Sequence, residues 1–256
     1  MELQDLYPIL AIAIFPLIIF IVLLVYVWYK DKYEKEPKSF VISMFIWGVI
    51  AALIAVPLEN ALGVDASNAF MMLIFVPILE EVLKSIGIII LSRNPEFEGI
   101  MDGVVYGVAV GAGFALMSDI LYGVSILSIG VLSVAFTLLL RAMIEPISHP
   151  FFSAWFGAEV GKTKIMVPTK RGYRELTVRG RGTTIFIGLV TVITLHAIWN
   201  YIAVSSVVNL ANASIYALMI IVLYILLFAS KIKEGVTFDM LIYEKAKKSS
   251  SREEPA

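Results

Sequence analysis

The chain has 256 residues, a formal net charge of −1 and no cysteine. Hydrophobic residues make up 59% and charged residues 16%, against about 25% charged in an ordinary soluble domain. A soluble globular protein, a disordered chain and a disulfide scaffold are therefore excluded, and thiolate catalysis and cysteine-ligated metals with them. The near-neutral balance gives no reason to expect a nucleic-acid partner.

The first seven residues, MELQDLY, carry two acids and no Lys or Arg, unlike the basic start of a signal peptide. The apolar run that follows, 8–29, is long enough to cross a bilayer. Further runs at 39–57, 69–91, 101–123, 137–160, 183–204 and 212–230 bring the expected spans to seven. Barrel strands need only about ten alternating residues, so these lengths predict an all-α, polytopic transmembrane helical bundle whose helices satisfy their own backbones. An eight-span count is the alternative. Trp28, Tyr29 and Tyr33 read as an aromatic belt at one interface.

Eighteen of the 20 basic residues fall on alternate connections. Four lie between spans one and two, Arg93 lies between three and four, seven lie in 161–182 and six lie beyond 230. The positive-inside rule then puts the N-terminus outside and the C-terminus in the cytoplasm. Residues 1–230 read as a single membrane domain, and 231–256 as a cytoplasmic polar tail whose ending, KAKKSSSREEPA, looks disordered. The loop 161–182 is short and basic, with no sign of a second domain. Segment 124–136 is apolar enough to lengthen a span, but a full crossing there would carry the basic 161–182 loop outside. It is expected to be interfacial or re-entrant.

Ionisable groups at bilayer depth cost roughly 2.5–3.5 kcal/mol each on insertion scales, and mark function by default. This chain places Glu80, Glu81 and Lys84 in span three, Asp119 in span four, Arg141, Glu145 and His149 in span five, and His196 and Asn200 in span six. Glu80 and Lys84 are four residues apart and can pair on one helix face, while Glu81 is turned about 100° away. Arg141, Glu145 and His149 form a ladder of four-residue steps. The two histidines are the whole histidine content, and with a carboxylate they make a zinc-type ligand set. A further carboxylate could serve as base on an activated water. Buried ion pairs that only staple helices give the bland reading of the same residues. Gly103, Gly107 and Gly111 make a small-residue face suited to close helix approach, and Asp102 suits a helix N-terminus.

Four motifs stand in order, each on its own span: EEVLK at 80–84, DGVVYGVAVGAGFA at 102–115, HPFFSAWFG at 149–157 and HAIWN at 196–200. Together they resemble the PrsW family of intramembrane proteases, related to the type II CAAX-prenyl endopeptidases, over about residues 70–205. The resemblance implies a multi-pass plasma-membrane endopeptidase that cleaves a membrane-anchored protein, an anti-sigma-like or other single-span regulator. It implies Glu80 and Glu81 as the paired glutamates that activate water or bind metal, and His149 and His196 as the membrane histidines. Asn200 becomes the group that stabilises the oxyanion. With zinc as the metal, the ligand set reads Glu81, His149, His196 and Asp119, supported by Lys84, Arg141, Glu145 and Ser118. A metal-free route through a glutamate and a histidine is the alternative mechanism. After GFA the family usually carries Glu–Asn, where this chain has Ser118 and Asp119. That departure keeps a catalytically inactive scaffold as the competing function. An ion-coupled transporter is the third reading, since buried charges also mark proton relays and Pro146 and Pro150 could break span five.

Overall fold

The computed structural model describes residues 3–33, 35–64, 68–126, 128, 130, 134, 137, 141, 148–169, 172–177, 180–208 and 210–251. Among them are seven α-helices: α1 (Leu3–Lys30), α2 (Lys38–Ala61), α3 (Val76–Leu91), α4 (Ile100–Ser125), α5 (His149–Gly161), α6 (Arg181–Val208) and α7 (Leu210–Ser251). A π-helical turn, Met71–Phe75, leads directly into α3.

Local chemistry sets the ends of these elements. Helix α1 stops at Lys30, where the apolar run gives way to the polar loop 31–37. Pro37 then stands at the N-cap of α2. Gly99 caps α4, and Asp102 in its first turn accepts a hydrogen bond from the Glu98 backbone N–H. An acid at the third helical position thereby satisfies a donor just outside the helix.

Helix α4 is the central post. Nearly all of it is buried, and its apolar window is 78% covered by protein, against 28% for α2 and 17% for α6. The outer helices point large apolar side chains outward, among them Ile42, Ile46 and Leu53 on α2, and Phe186, Ile187 and Val190 on α6. An exposed apolar surface of this extent suits a lipid environment rather than water. Three of the described helices, Lys38–Ala61, Ile100–Ser125 and Arg181–Ile202, are long and apolar enough to cross a membrane.

The glycines of α4 explain how close its neighbours come. A Cβ at Gly103 would meet the Gly157 carbonyl, one at Gly107 the Ser153 carbonyl, and one at Gly111 the His149 carbonyl. The small-residue face read from the sequence thus seats α5 backbone against backbone. In the last of these contacts it fixes the main chain of a histidine.

The structure departs from the sequence reading in four places. The helix expected over 137–160 is broken at Ser148, which leaves helical backbone with φ −107° and ψ −94°; Thr137 and Arg141 before it are helical, and α5 starts afresh at His149. Pro150 fits the second helical position, where a missing N–H costs nothing. The loop 161–182 contains an antiparallel hairpin, β1 (Lys164–Thr169) with β2 (Gly172–Thr177), pairing Lys164 with Thr177 and Thr169 with Gly172. The expected disordered tail continues α7 helically to Ser251. Its first part is held by packing: Lys231 bonds Glu159 of α5 at 2.7 Å, and Gly235 lies against Met101 of α4. Lastly, α4 runs on to Ser125, and most of segment 124–136 lies outside the described residues.

Candidate active site

Three helices deliver the polar groups to one buried point. Helix α3 carries Glu80, Glu81 and Lys84 within little more than one turn, α5 begins with His149, and α6 carries His196 at mid-length. All five side chains are buried. Glu80, His149 and His196 each offer a ligand atom within 4.8 Å of the others. Glu80 Oε2 lies 3.6 Å from His149 Nδ1 and 3.8 Å from His196 Nε2. It is buried with no hydrogen-bond partner.

Glu81 has a different surrounding. Its Oε1 lies 2.8 Å from His196 Nδ1 and 2.5 Å from Lys84 Nζ. Glu81 Oε2 is buried and without a hydrogen-bond partner. An ionised carboxylate only accepts, so His196 Nδ1 is the donor in that contact, and Nε2 is the nitrogen nearer Glu80. Lys84 also lies 3.1 Å from His149 Nδ1 and 4.0 Å from Glu80 Oε2. The expected Glu80–Lys84 contact is therefore the loose one, and the three-residue step to Glu81 is the tight one.

Aromatic rings wall the cluster. Phe152 stacks on the His196 ring at 5.3 Å and 24°, Phe114 sits 5.0 Å from the His149 ring, and the two imidazoles meet edge to face at 5.3 Å. Lys84 Nζ lies 4.6 Å from the Phe114 centroid. Sequence reading missed both phenylalanines, although Phe152 follows His149 by three residues and so shares its helix face. It also missed Trp47, whose Nε1 donates to the Leu83 carbonyl at 3.1 Å and ties α3 to α2.

Of the remaining expected site residues, Asp119, Arg141 and Asn200 have partners of their own. Asp119 pairs with Arg141 at 2.6 Å, and Arg141 also covers the Tyr122 ring at 4.6 Å. Arg141 thus meets a partner on α4, and the helical ladder from it to His149 is interrupted at Ser148. Ser118, half-buried, adjoins Asp119 on α4. Glu145 lies outside the described residues. Asn200 Nδ2 donates to the Met72 carbonyl at 2.9 Å and so fastens the π-turn that leads into α3.

The comparisons with known proteins bear on what such a cluster does. The family model described as PrsW family intramembrane metalloprotease matches residues 36–228, a stretch that contains every residue of the cluster. The chain belongs to the PrsW family. It is 35% identical over 157 residues to a Protease PrsW of Geobacillus kaustophilus, covering 60% of this chain and 67% of the relative. It is 29% identical over 208 residues to that of Oceanobacillus iheyensis, covering 79% and 88%. It is 31% identical over 156 residues to that of Bacillus subtilis, covering 59% and 68%. No solved structure matches. As a PrsW family member the chain is a membrane protein and a hydrolase of the peptidase class.

The family description implies a metal, and the donor set fits one. Two imidazole nitrogens and a carboxylate oxygen are a common catalytic zinc set. Tetrahedral bonds of about 2.0–2.1 Å put ligand atoms roughly 3.3 Å apart. The observed 3.6 and 3.8 Å separations, with all three atoms within 4.8 Å, would have to close on a bound ion, and His149 Nδ1 would exchange its 3.1 Å contact with Lys84 Nζ for it. The unpartnered Glu80 Oε2 is the atom that a cation would satisfy.

Proposed function

We propose that this PrsW family chain is a metal-dependent intramembrane endopeptidase, using zinc, that hydrolyses a peptide bond in a membrane-anchored, single-span regulatory protein. The buried Glu80–His149–His196 cluster, assembled from three helices and walled by aromatic rings, carries this reading. Burial at that depth suits a peptide bond that itself lies within the bilayer.

In this reading Glu80, His149 and His196 hold the metal, which when bound supplies Lewis-acid activation of water and of the scissile carbonyl. Glu81 fixes the His196 tautomer through Nδ1, in the manner of carboxylates that orient metal-binding histidines. Lys84 Nζ neighbours Glu81 Oε1 at 2.5 Å and sets its cation against that carboxylate. The second Glu81 oxygen is the proton acceptor: it takes a proton from the attacking water and returns it to the departing amine. Water oxygen bonds to the carbonyl carbon, the carbon–nitrogen bond breaks, and the proton ends on nitrogen. Asn200 commits one amide hydrogen to Met72 and has a second for the oxyanion. Seven spans, an external N-terminus, a cytoplasmic C-terminus and a plasma-membrane location complete the proposal, supported by the alternation of basic loops.

A second reading, a membrane scaffold without catalysis, is favoured by one observation. Asp119, at the Ser–Asp departure from the family pattern, commits a carboxylate oxygen to Arg141 at 2.6 Å. One experiment separates the two: purified protein is incubated with membrane-anchored single-span substrates, with and without chelator, beside the Glu81→Gln variant. The protease reading expects cleavage that chelator and Glu81→Gln each abolish. Metal binding without cleavage of any substrate supports the scaffold, and stoichiometric metal retained by the His149→Ala/His196→Ala double variant overturns the assigned ligand set.

A further inference from the structure

Helices α1 and α7 touch over only a short stretch, and a cleft of about 450 Å³ opens between them. Its floor is apolar, with Leu23 on α1 and Phe228 and Ile232 on α7. Its rim carries Lys30 and Lys32 from one side and Lys233 from the other. Lys30 Nζ lies 5.3 Å from the Tyr26 ring. Among the described residues, no carboxylate lies within ion-pairing distance of Lys30, Lys32 or Lys233. The neighbouring acids are already engaged elsewhere, since Glu234 bonds Lys162 and Lys231 on the side of α7 facing α5. The cleft lies where the apolar run of α1 ends, beside Trp28, Tyr29 and Tyr33, which are the side chains expected at a headgroup boundary.

We propose that this cleft is a binding site for an anionic glycerophospholipid. The acyl chains lie along the apolar floor, and the phosphate sits among Lys30, Lys32 and Lys233. Charge complementarity and depth favour the lipid over other anions. A free phosphate would use the three ammonium groups and leave the floor in contact with lipid or water. A zwitterionic lipid would use the floor and bring no net charge to the rim. A basic cleft between helices at the interface selects a ligand that needs both halves. Bound there, the lipid joins α1 to α7. Helix α7 in turn holds α5 through Lys231 and Glu159, and α5 carries His149, so lipid occupancy is linked to the helix that presents that side chain.

Native mass spectrometry of the full-length protein in detergent tests the site without any use of peptidase activity. The probes are phosphatidylglycerol, phosphatidylcholine and inorganic phosphate. The variants are Lys30→Gln/Lys32→Gln/Lys233→Gln, Ala229→Trp to fill the cleft from its wall, and Lys245→Gln/Lys247→Gln/Lys248→Gln as a control of equal charge change. The expected result is retention of one phosphatidylglycerol by the wild type and by the tail control. Affinity falls at least about tenfold in the triple cleft variant and is lost in Ala229→Trp, with unchanged melting temperatures before lipid is added. Equal retention by the wild type and the triple cleft variant overturns the proposal, as does an equal loss in the tail control. Equal retention of phosphatidylcholine, or full displacement of the lipid by inorganic phosphate or by a polyglutamate peptide, overturns it as well.

Discussion

Glu81 Oε1 stands 2.8 Å from His196 Nδ1, joining two residues separated by 115 positions in the chain. The contact links α3 to α6 and leaves His196 Nε2 turned toward Glu80. One carboxylate therefore fixes the orientation of a neighbour's ring as well as offering its own second oxygen. Glu81→Gln keeps the shape and removes the charge. Metal affinity should fall about 10–100-fold, as it does when a carboxylate behind a metal-binding histidine is neutralised. Competition against a chelator of known affinity measures this, and an unchanged affinity would detach Glu81 from the metal site.

Each member of the cluster should be separately required. Glu80→Ala, His149→Ala and His196→Ala should each bring metal content from one per chain to well below half. Asp119→Asn should leave metal content intact, because Asp119 pairs with Arg141. Elemental analysis of the purified proteins decides between them. Loss of metal from Asp119→Asn, with the cluster variants still loaded, would redraw the site.

Gly107 should tolerate no side chain. A Cβ there meets main-chain atoms of Ser153 and Ala154, which cannot rotate away. Gly107→Ala should lower stability by about 1–3 kcal/mol, the usual cost of overpacking. Gly182→Ala, in open space near the start of α6, should be neutral or stabilising by up to about 1 kcal/mol, since Ala is the better helix former. Melting in detergent micelles compares the pair.

Glu36, in the loop between α1 and α2, supplies a pH dependence. Burial, and after it the nearby Asp102 carboxylate, pushes its carboxyl up to about 11. The folded state then holds a proton that the unfolded chain releases in the ordinary carboxyl range. The contribution to stability is complete below that range and declines as pH rises toward the raised value. Glu36→Gln, which needs no proton, should flatten the fall in melting temperature between pH 5 and 9 and raise it at the alkaline end. A Glu36→Gln curve parallel to the wild type would remove this group from the pH response.

What the sequence made legible follows from the range of the forces involved. Costly polar groups in apolar runs are visible residue by residue, so Glu80, Glu81, Lys84, His149 and His196 could be named at once. The glycine repeat at 103, 107 and 111 likewise announced a close helix contact. Partner choice was not legible, because it depends on how helices rotate against each other. Glu81 pairing with His196, Asp119 with Arg141, and Asn200 with Met72 all join different elements. The hairpin at 164–177 was hidden by the basic residues that made the segment look like a plain loop. The helical continuation of α7 depends on Lys231 meeting Glu159, a contact that composition does not disclose.

The three donors of the cluster come from α3, α5 and α6, and Glu80 and His149 are separated by the whole of α4. A nascent chain released only as far as α5 has two of the three, and Gly111 has yet to be matched with His149 until α5 docks. The complete donor set is thus a late event in biogenesis, and metal binding as proposed would have to wait for it. A chain truncated after α5 should therefore lack the proposed site, however well its first helices are inserted.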